Sequence, residues 1–235
     1  MVPLPMTIRN PFLPRVLPFA VFMAFIGLEE GLGFLMKKEL LSVSAEFLLY
    51  LYPLKAISAL CVFLYFRKRY DELDPRDLRS LPKTAVSVAT GLAVFLLWIR
   101  MDWTLGAVGT PAGYDPSALP EGIVRSLSIG FRLFGAALVV PVIEELFWRS
   151  FVIRYVADND FTRVPIGLFT WPSFLITAVL FGLEHHYLYA GIMAGVAYNL
   201  LLYYTKSISQ CILSHGVTNL ILGIYVLQTG EWRFW

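Results

Sequence analysis

Long apolar stretches, separated by short polar connections, constrain the fold of this sequence more than any other feature. A helix needs roughly 20 predominantly apolar residues to cross the hydrocarbon core of a bilayer, and seven stretches come close to that length. They predict an all-α fold, a polytopic membrane helix bundle of about seven to eight transmembrane helices. The predicted helices cover about residues 16–36, 47–66, 85–103, 123–147, 166–181, 188–204 and 208–227.

The composition supports a membrane protein and argues against other classes. Hydrophobic residues make up 57% of the 235 residues, and charged residues only 15%, against about 25% in a typical soluble domain. The net charge of +2 is too small to indicate a nucleic-acid partner. We therefore predict a single integral membrane domain over residues 1–235, which contacts the lipid bilayer and binds no nucleic acid; the oligomeric state stays open.

The distribution of positive charge predicts an orientation. Residues 67–83 hold six Lys or Arg residues, and further basic residues follow the fourth helix and precede the seventh. With seven spans, these connections lie on the same side as the N-terminus, which the positive-inside rule places in the cytoplasm; Lys37 and Lys38 oppose this orientation. The compactness of the chain suggests a bacterial cytoplasmic (inner) membrane.

Three charged residues lie close together near the end of the predicted fourth helix. An ionisable group in a bilayer costs roughly 2.5–3.5 kcal/mol on insertion scales and usually faces a cavity or a partner. Glu145 and Arg149 are four residues apart and can pair on one helical face. Glu144 points about 100° away and is left less neutralised, which favours proton transfer. Alternatively, all three form a buried ion network that fixes helix packing.

Polar residues also end the predicted fifth helix. Phe181 and His185 are four residues apart and share one helical face. The adjacent Glu184 and His186 are interpreted as residues at the water boundary.

The seventh helix carries His215 and Asn219 on one face, well inside an apolar run. Both can donate hydrogen bonds, and the alternative role for them is to join helices. Together with Glu144 and His185 they form a set suited to acyl hydrolysis. A water between Glu144 and His185 loses a proton and attacks a carbonyl, and the seventh helix donates to the oxyanion.

Glu29 and Glu30 in the first helix are the fourth place where charge enters an apolar stretch. We expect a structural role for them, as a cavity wall or as partners of Lys55 or Arg132.

The order and spacing of three motifs resemble those of the CAAX protease and bacteriocin-processing family, the intramembrane glutamate proteases related to the Ras-converting CAAX endopeptidase. The matching residues are Glu144, Glu145 and Arg149, then Phe181 and His185, then His215 and Asn219. The resemblance covers about residues 120–225, and within it Lys206 replaces the usual glycine of a Thr-Gly-Ser-like turn. The sequence around Glu144 also resembles an exosortase-associated bacterial subgroup of CAAX-protease-related proteins.

The resemblance implies an intramembrane endopeptidase with a site open to the cytoplasmic side and no cofactor. Glu144 would activate water with the help of His185, and His215 and Asn219 would stabilise the oxyanion. The supporting residues would be Glu145, Arg149 and Phe181. Relatives cleave prenylated CAAX tails, process bacteriocins or act as scaffolds, so the expected substrate is a membrane-embedded or lipidated protein or peptide.

Three other functions compete with this interpretation. Glu144, His185 and His215 could hold Zn²⁺ with water as the fourth ligand, although the chain has no His-Glu-x-x-His signature. A transporter also uses intramembrane carboxylates, but we find no inverted repeat. A non-proteolytic membrane scaffold or immunity protein would keep the fold and tolerate loss of Glu144.

Overall fold

The computed structural model describes residues 10–44, 46–103 and 113–235, which form a bundle of seven helices. Within these ranges the regular structure is entirely helical, as predicted. In chain order the helices are α1 (Leu13–Lys37), α2 (Glu46–Tyr65), α3 (Leu81–Trp98), α4 (Ile123–Ala157), α5 (Trp171–Leu183), α6 (Leu188–Thr205) and α7 (Ile208–Thr229).

Five helices of the described chain, α1 to α4 and α7, are long and apolar enough to cross a membrane. The helix α5 has 13 residues, fewer than a crossing requires. The polytopic bundle is therefore confirmed, but five helices, and not seven to eight, meet the length and composition of a full crossing. The outer surface carries large apolar side chains, such as Leu96, Leu127 and Leu175, each more than half exposed. Such a surface identifies an integral membrane protein.

One end of the bundle, called the basic end below, brings together connections that are distant in sequence. The Arg15 guanidinium at the start of α1 pairs with Glu72, in the connection 66–80, at 2.6 Å. The connection 158–170 joins them, because the Phe161 ring lies 5.6 Å from the same guanidinium. The connections predicted to share one side with the N-terminus therefore do lie together.

The turn between α6 and α7 is the fourth part of the basic end. Lys206, where the family has its usual glycine, has a φ of 56°, a left-handed conformation that glycine adopts most easily. Ser207 then caps α7 by accepting from Gln210 N at 3.3 Å, and it donates to Asp77 Oδ2 at 2.5 Å. These bonds tie the start of α7 to the connection 66–80.

The opposite end of the bundle holds the C-terminal residues. Arg233 pairs with Asp102 at 3.0 Å, and Tyr114 N donates to the Trp235 carbonyl at 3.0 Å. The connection between α5 and α6 reaches the same end, where the ring of Tyr187 lies 5.6 Å from that of Phe234.

Candidate active site in the bundle core

The long helix α4 leaves α-helical register twice, and two adjacent glutamates lie between the departures. Segments Gly135–Val139 and Leu146–Val152 are π-helical, with hydrogen bonds that reach five residues back instead of four. π-Helical segments are frequent at functional sites. Glu144 and Glu145 end the short α-helical stretch Val140–Glu145 between them.

Pro141 explains why α7 binds at the first π-helical segment. Val140 N bonds to the Gly135 carbonyl, and the next donor in this register would be Pro141, which has no N–H. The Ala136 carbonyl is thereby left without a helical partner, and Asn219 Nδ2 of α7 donates to it at 2.9 Å. Because an unpaired carbonyl is costly in an apolar bundle, this bond fixes the position of Asn219.

Two glycines allow α7 to approach both of its neighbours closely. A Cβ atom on Gly216 would lie 2.9 Å from the Ala137 carbonyl oxygen of α4. A Cβ atom on Gly91 of α3 would collide with the Ser214 carbonyl oxygen. His215 is therefore held between α3 and α4, at a depth set by backbone contacts on both sides.

The carboxylate of Glu145 is the centre of the buried ion pairs. Its Oε1 atom accepts from Arg149 Nη1 at 3.2 Å and from His215 Nδ1 at 2.9 Å. Glu145 is 0% and Arg149 1% exposed, so the two charges compensate each other away from solvent. The predicted pairing of Glu145 with Arg149 is confirmed, and the additional bond to His215 links the first motif to the third.

Glu144 lacks a comparable partner. Its Oε2 atom is buried without a hydrogen bond among the described residues, and it lies 4.0 Å from His215 Nε2. Since a carboxylate only accepts, Nδ1 of His215 is the atom that donates to Glu145. The Nε2 atom of His215 consequently faces Glu144, and it can donate only when the ring is in the imidazolium form.

Aromatic rings hold the charged groups in place. The Phe181 ring lies 4.4 Å below the Arg149 guanidinium and contacts the His185 ring with centroids 4.8 Å apart. Tyr198 stacks on His215 at 5.0 Å, with 22° between the planes. Phe181 therefore contacts groups of the first and second motifs, and its ring centroid lies 6.2 Å from that of His215 in the third.

His185 presents a free ring nitrogen. Its Nδ1 atom lies 2.7 Å from the Phe181 carbonyl, and because a carbonyl only accepts, Nδ1 carries the proton. Burial lowers the pKa of His185 to about 4, although its bond to the Phe181 carbonyl acts in the opposite direction. The ring is neutral near pH 7, and Nε2 has a lone pair available to accept from a water.

Glu184 is partly buried, so its assignment to the water boundary holds only in part. Its carboxylate turns inward and accepts from Trp148 Nε1 at 2.8 Å, because Trp148 of α4 places an indole donor opposite the end of α5. Burial raises the pKa of Glu184 to about 7, and the bond to Trp148 lowers it. The neighbouring His186 is exposed, in agreement with the sequence interpretation.

In the described part of the chain, these groups line one cavity of about 910 Å³. It contains all four residues predicted to be catalytic, with Glu184 and Phe181 beside them. Glu145 and Arg149 do not line it, which agrees with a supporting position behind the cavity wall. The cavity is large enough for several residues of a peptide.

The cavity opens at the end of the bundle opposite the basic end. Its exposed lining residues include Glu30, near the end of α1, and His186, between α5 and α6. Tyr114 and Trp235, at the same end, also line it, and no residue of the connections 66–80 and 158–170 does. The sequence expected both a cytoplasmic N-terminus and a cavity open to the cytoplasm, and these two expectations are incompatible.

Of the two acidic residues of α1, Glu29 has one of the partners expected of it, and Glu30 lines the cavity. Glu29 pairs with the buried Lys55 at 2.7 Å, which is one of the two partners proposed from the sequence. Arg132, the other candidate, packs instead on aromatic rings of Tyr52 and Trp235.

Sequence reasoning missed a second buried polar cluster, which closes the basic end behind Glu145. Arg15 donates to both carboxylate oxygens of Glu72 at 2.7 and 2.6 Å. Ser150 also bonds to Glu72, and Arg154 Nη2 donates to Ser150 Oγ at 2.9 Å. The partners come from three separate segments without a fixed spacing, so no sequence motif predicts the cluster.

Within the described residues, no group of three or more His, Cys, Asp or Glu side chains is close enough to hold a metal ion. This finding concerns the arrangement of the side chains alone. The metal-free assignment and the zinc alternative on Glu144, His185 and His215 both stay predictions.

The fold and the cavity define a polytopic membrane protein with a polar site in the bundle core. Residues 126–221 match the family described as "Type II CAAX prenyl endopeptidase Rce1-like". The match covers all three motifs, so the resemblance to the CAAX protease family is confirmed over these residues, and a peptidase is the class of enzyme it supports. No curated protein and no solved structure matches the chain. The exosortase-associated subgroup stays a prediction.

The pKa of Glu184 makes stability depend on pH in a defined window. A buried carboxyl whose pKa is raised from 4.5 to about 7 stabilises the fold below pH 4.5, and this contribution is lost as the pH rises through about 7. Glu184→Gln keeps an acceptor for Trp148 without the charge. We expect the variant to unfold at a higher temperature than wild type at pH 8, with no gain at pH 4.5, in detergent melting curves. An equal gain at both pH values would contradict a titrating Glu184.

Proposed function

We propose that this protein is an intramembrane endopeptidase that hydrolyses a peptide bond of a membrane-embedded or lipidated substrate without a metal. The observation that carries the proposal is the Glu144 carboxylate, whose buried Oε2 atom has no hydrogen-bond partner in the part of the chain that the structure describes and which faces a wide cavity together with two imidazoles. A fixed ion network would pair this carboxylate, as it pairs Glu145. The description of the matched family, which names a CAAX prenyl endopeptidase, supports the substrate class.

In the proposed reaction, Glu144 and His185 Nε2 hold one water between them. Glu144 takes a proton from this water as its oxygen attacks the carbonyl carbon of the scissile bond. His215, when both of its ring nitrogens carry a proton, donates from Nε2 to the resulting oxyanion. The tetrahedral intermediate then collapses, the carbon–nitrogen bond breaks, and the proton passes from Glu144 to the leaving amine.

Asn219 has a divided role in this proposal. One amide hydrogen bonds to the Ala136 carbonyl at 2.9 Å, and the second is available to the oxyanion because the side chain lines the cavity. The oxyanion donors on α7 are therefore positioned by the break in α4.

A cleavage assay tests the assignment of the base. We expect purified protein in detergent to cleave members of a panel of quenched peptides, some of them prenylated at a C-terminal Cys. Glu144→Gln should lower the rate by roughly 10²–10⁴-fold, with comparable losses in His185→Ala and His215→Ala. Glu30→Gln is the matched control, because Glu30 lines the same cavity and has no role in the reaction.

A chelator separates this reaction from the zinc alternative. Cleavage that survives chelation supports the metal-free base. Loss of cleavage on chelation, restored by Zn²⁺, would assign Glu144, His185 and His215 as ligands. Full activity of Glu144→Gln would remove the proposed mechanism and favour a scaffold.

The Glu145–Arg149 pair allows stability and activity to be separated. Glu145→Gln leaves a buried guanidinium without a counter-charge, which should destabilise the protein by about 3–5 kcal/mol. In Glu145→Gln/Arg149→Met both charges are gone, and we expect thermal unfolding to return towards wild type while cleavage stays low, because His215 has lost its anionic partner. Wild-type cleavage by the double variant would show that the pair acts only in packing.

We further propose that the N-terminus faces the cytoplasm of a bacterial inner membrane and that the cavity opens towards the other side. The connection 67–83 carries six basic residues, and short basic loops stay in the cytoplasm. The cavity opens at the opposite end of the bundle. The substrate is then reached from the outer half of the membrane or from beyond it.

Thiol labelling tests this orientation. In a variant with both native cysteines replaced, His186→Cys should react with a membrane-impermeant maleimide in intact spheroplasts. Arg163→Cys is the matched control at the basic end, since Arg163 is also exposed, and should react only after lysis. Labelling in the reverse pattern would place the cavity on the cytoplasmic side.

A further inference from the structure

Arg132 is a cation in the cavity without an acidic partner. No carboxylate of the described residues lies within salt-bridge distance of its guanidinium, although the other two Lys or Arg side chains that line the cavity are both paired: Lys55 with Glu29 and Arg233 with Asp102. The residues outside the described ranges contain no Asp or Glu. Its Nε atom is buried and has no hydrogen-bond partner among the described residues.

Aromatic rings hold this guanidinium from three directions. Its central carbon lies 4.3 Å from the centroid of Tyr52, 5.5 Å from Tyr114 and 5.7 Å from Trp235. Cation–π contacts of this kind stabilise the charge and orient the plane of the group. The ring faces offer no acceptor to its Nε–H, which has no hydrogen-bond partner among the described residues, and a carboxylate ligand supplies acceptor oxygens for such a donor.

The break in α4 places Arg132 on the same face as the proposed base. Twelve residues of regular α-helix would put Arg132 and Glu144 about 120° apart. The π-helical segment Gly135–Val139 adds one residue to a turn and removes about 100° of this angle. Arg132, Ala136, Val140 and Glu144 accordingly all line the cavity.

We infer that Arg132 binds the C-terminal carboxylate of the peptide whose bond is cleaved at Glu144, an inference that rests on the proposed function. A guanidinium and a carboxylate form two parallel hydrogen bonds, and a peptide carries this anion whatever its side chains are. Twelve residues of helix separate the two sites by about 18 Å. At 3.3–3.6 Å per extended residue, the scissile bond lies about five residues from the C-terminus.

Binding measurements test this assignment without requiring cleavage. The protein carries Glu144→Gln, and the probe is a short apolar, fluorescent, N-palmitoylated peptide made with either a free C-terminal carboxylate or a carboxamide. We expect the amide to bind roughly 10–100-fold more weakly than the acid, as for loss of a charged hydrogen bond. Addition of Arg132→Gln should abolish the difference. Arg125→Gln is the matched control, since Arg125 lies on the same helix, pairs with Glu121 and does not line the cavity.

The outcomes separate this inference from the proposed function. Preference for the acid that depends on Arg132, with no peptide cleaved by the wild-type protein, supports the binding site and removes the protease. Cleavage of acid and amide peptides with equal KM, or no preference in binding, overturns the inference and leaves the protease.

If Arg132→Gln weakens binding of phosphatidylglycerol vesicles but keeps the acid preference, the anion at Arg132 is a lipid phosphate and the inference is wrong. In wild type, mass spectrometry should find released C-terminal fragments of about five residues, and scattered lengths would contradict the predicted spacing.

Discussion

The helix α4 is the constraint on which the rest of the site depends, because it carries both glutamates and the cavity arginine while it interrupts its own hydrogen-bond ladder. Pro141 removes one donor, and the preceding π-helical segment changes the direction of the residues that follow. In an apolar bundle the carbonyl left over requires a donor, and Asn219 supplies it. A regular helix without Pro141 would satisfy all of its own carbonyls, and α7 would then have no hydrogen bond to α4 through Asn219. The position of His215 beside the glutamates would no longer be fixed by this bond.

The two adjacent glutamates differ because the bundle concentrates its charge compensation on one of them. Glu145 faces Arg149 and His215 and accepts from both, so its charge is balanced within the protein. Glu144 points about 100° away and reaches the cavity with one oxygen unbonded. A buried carboxylate without a partner is unfavourable, and only Glu145 has an arginine and a histidine that donate to it. Because adjacent residues of a helix point about 100° apart, Glu145 is held by its partners while Glu144 faces the cavity.

The extent to which the sequence predicted this arrangement follows from the range of the interactions. The helices and the Glu145–Arg149 pair depend on composition and on a spacing of four residues, and the sequence predicted both correctly. Two features depend on contacts between distant segments: the inward turn of Glu184 towards Trp148, and the cluster of Arg15 and Glu72. No periodic pattern encodes such contacts. The π-helical segments are also invisible to the pattern, because Pro141 in an apolar run predicts a kink but not its register.

The motifs alone could not predict at which end of the bundle the cavity opens. The motifs fix which side chains meet, but their spacing along the sequence is compatible with entry from either end of the bundle. Entry is decided elsewhere, by the polar cluster of Arg15, Glu72, Ser150 and Arg154 that closes the basic end. That cluster places net positive charge beneath the site, on the side that topology rules assign to the cytoplasm. In the proposed orientation, Arg15 and Arg154 add to the basic residues of the cytoplasmic side, and their cluster also closes one route to Glu144.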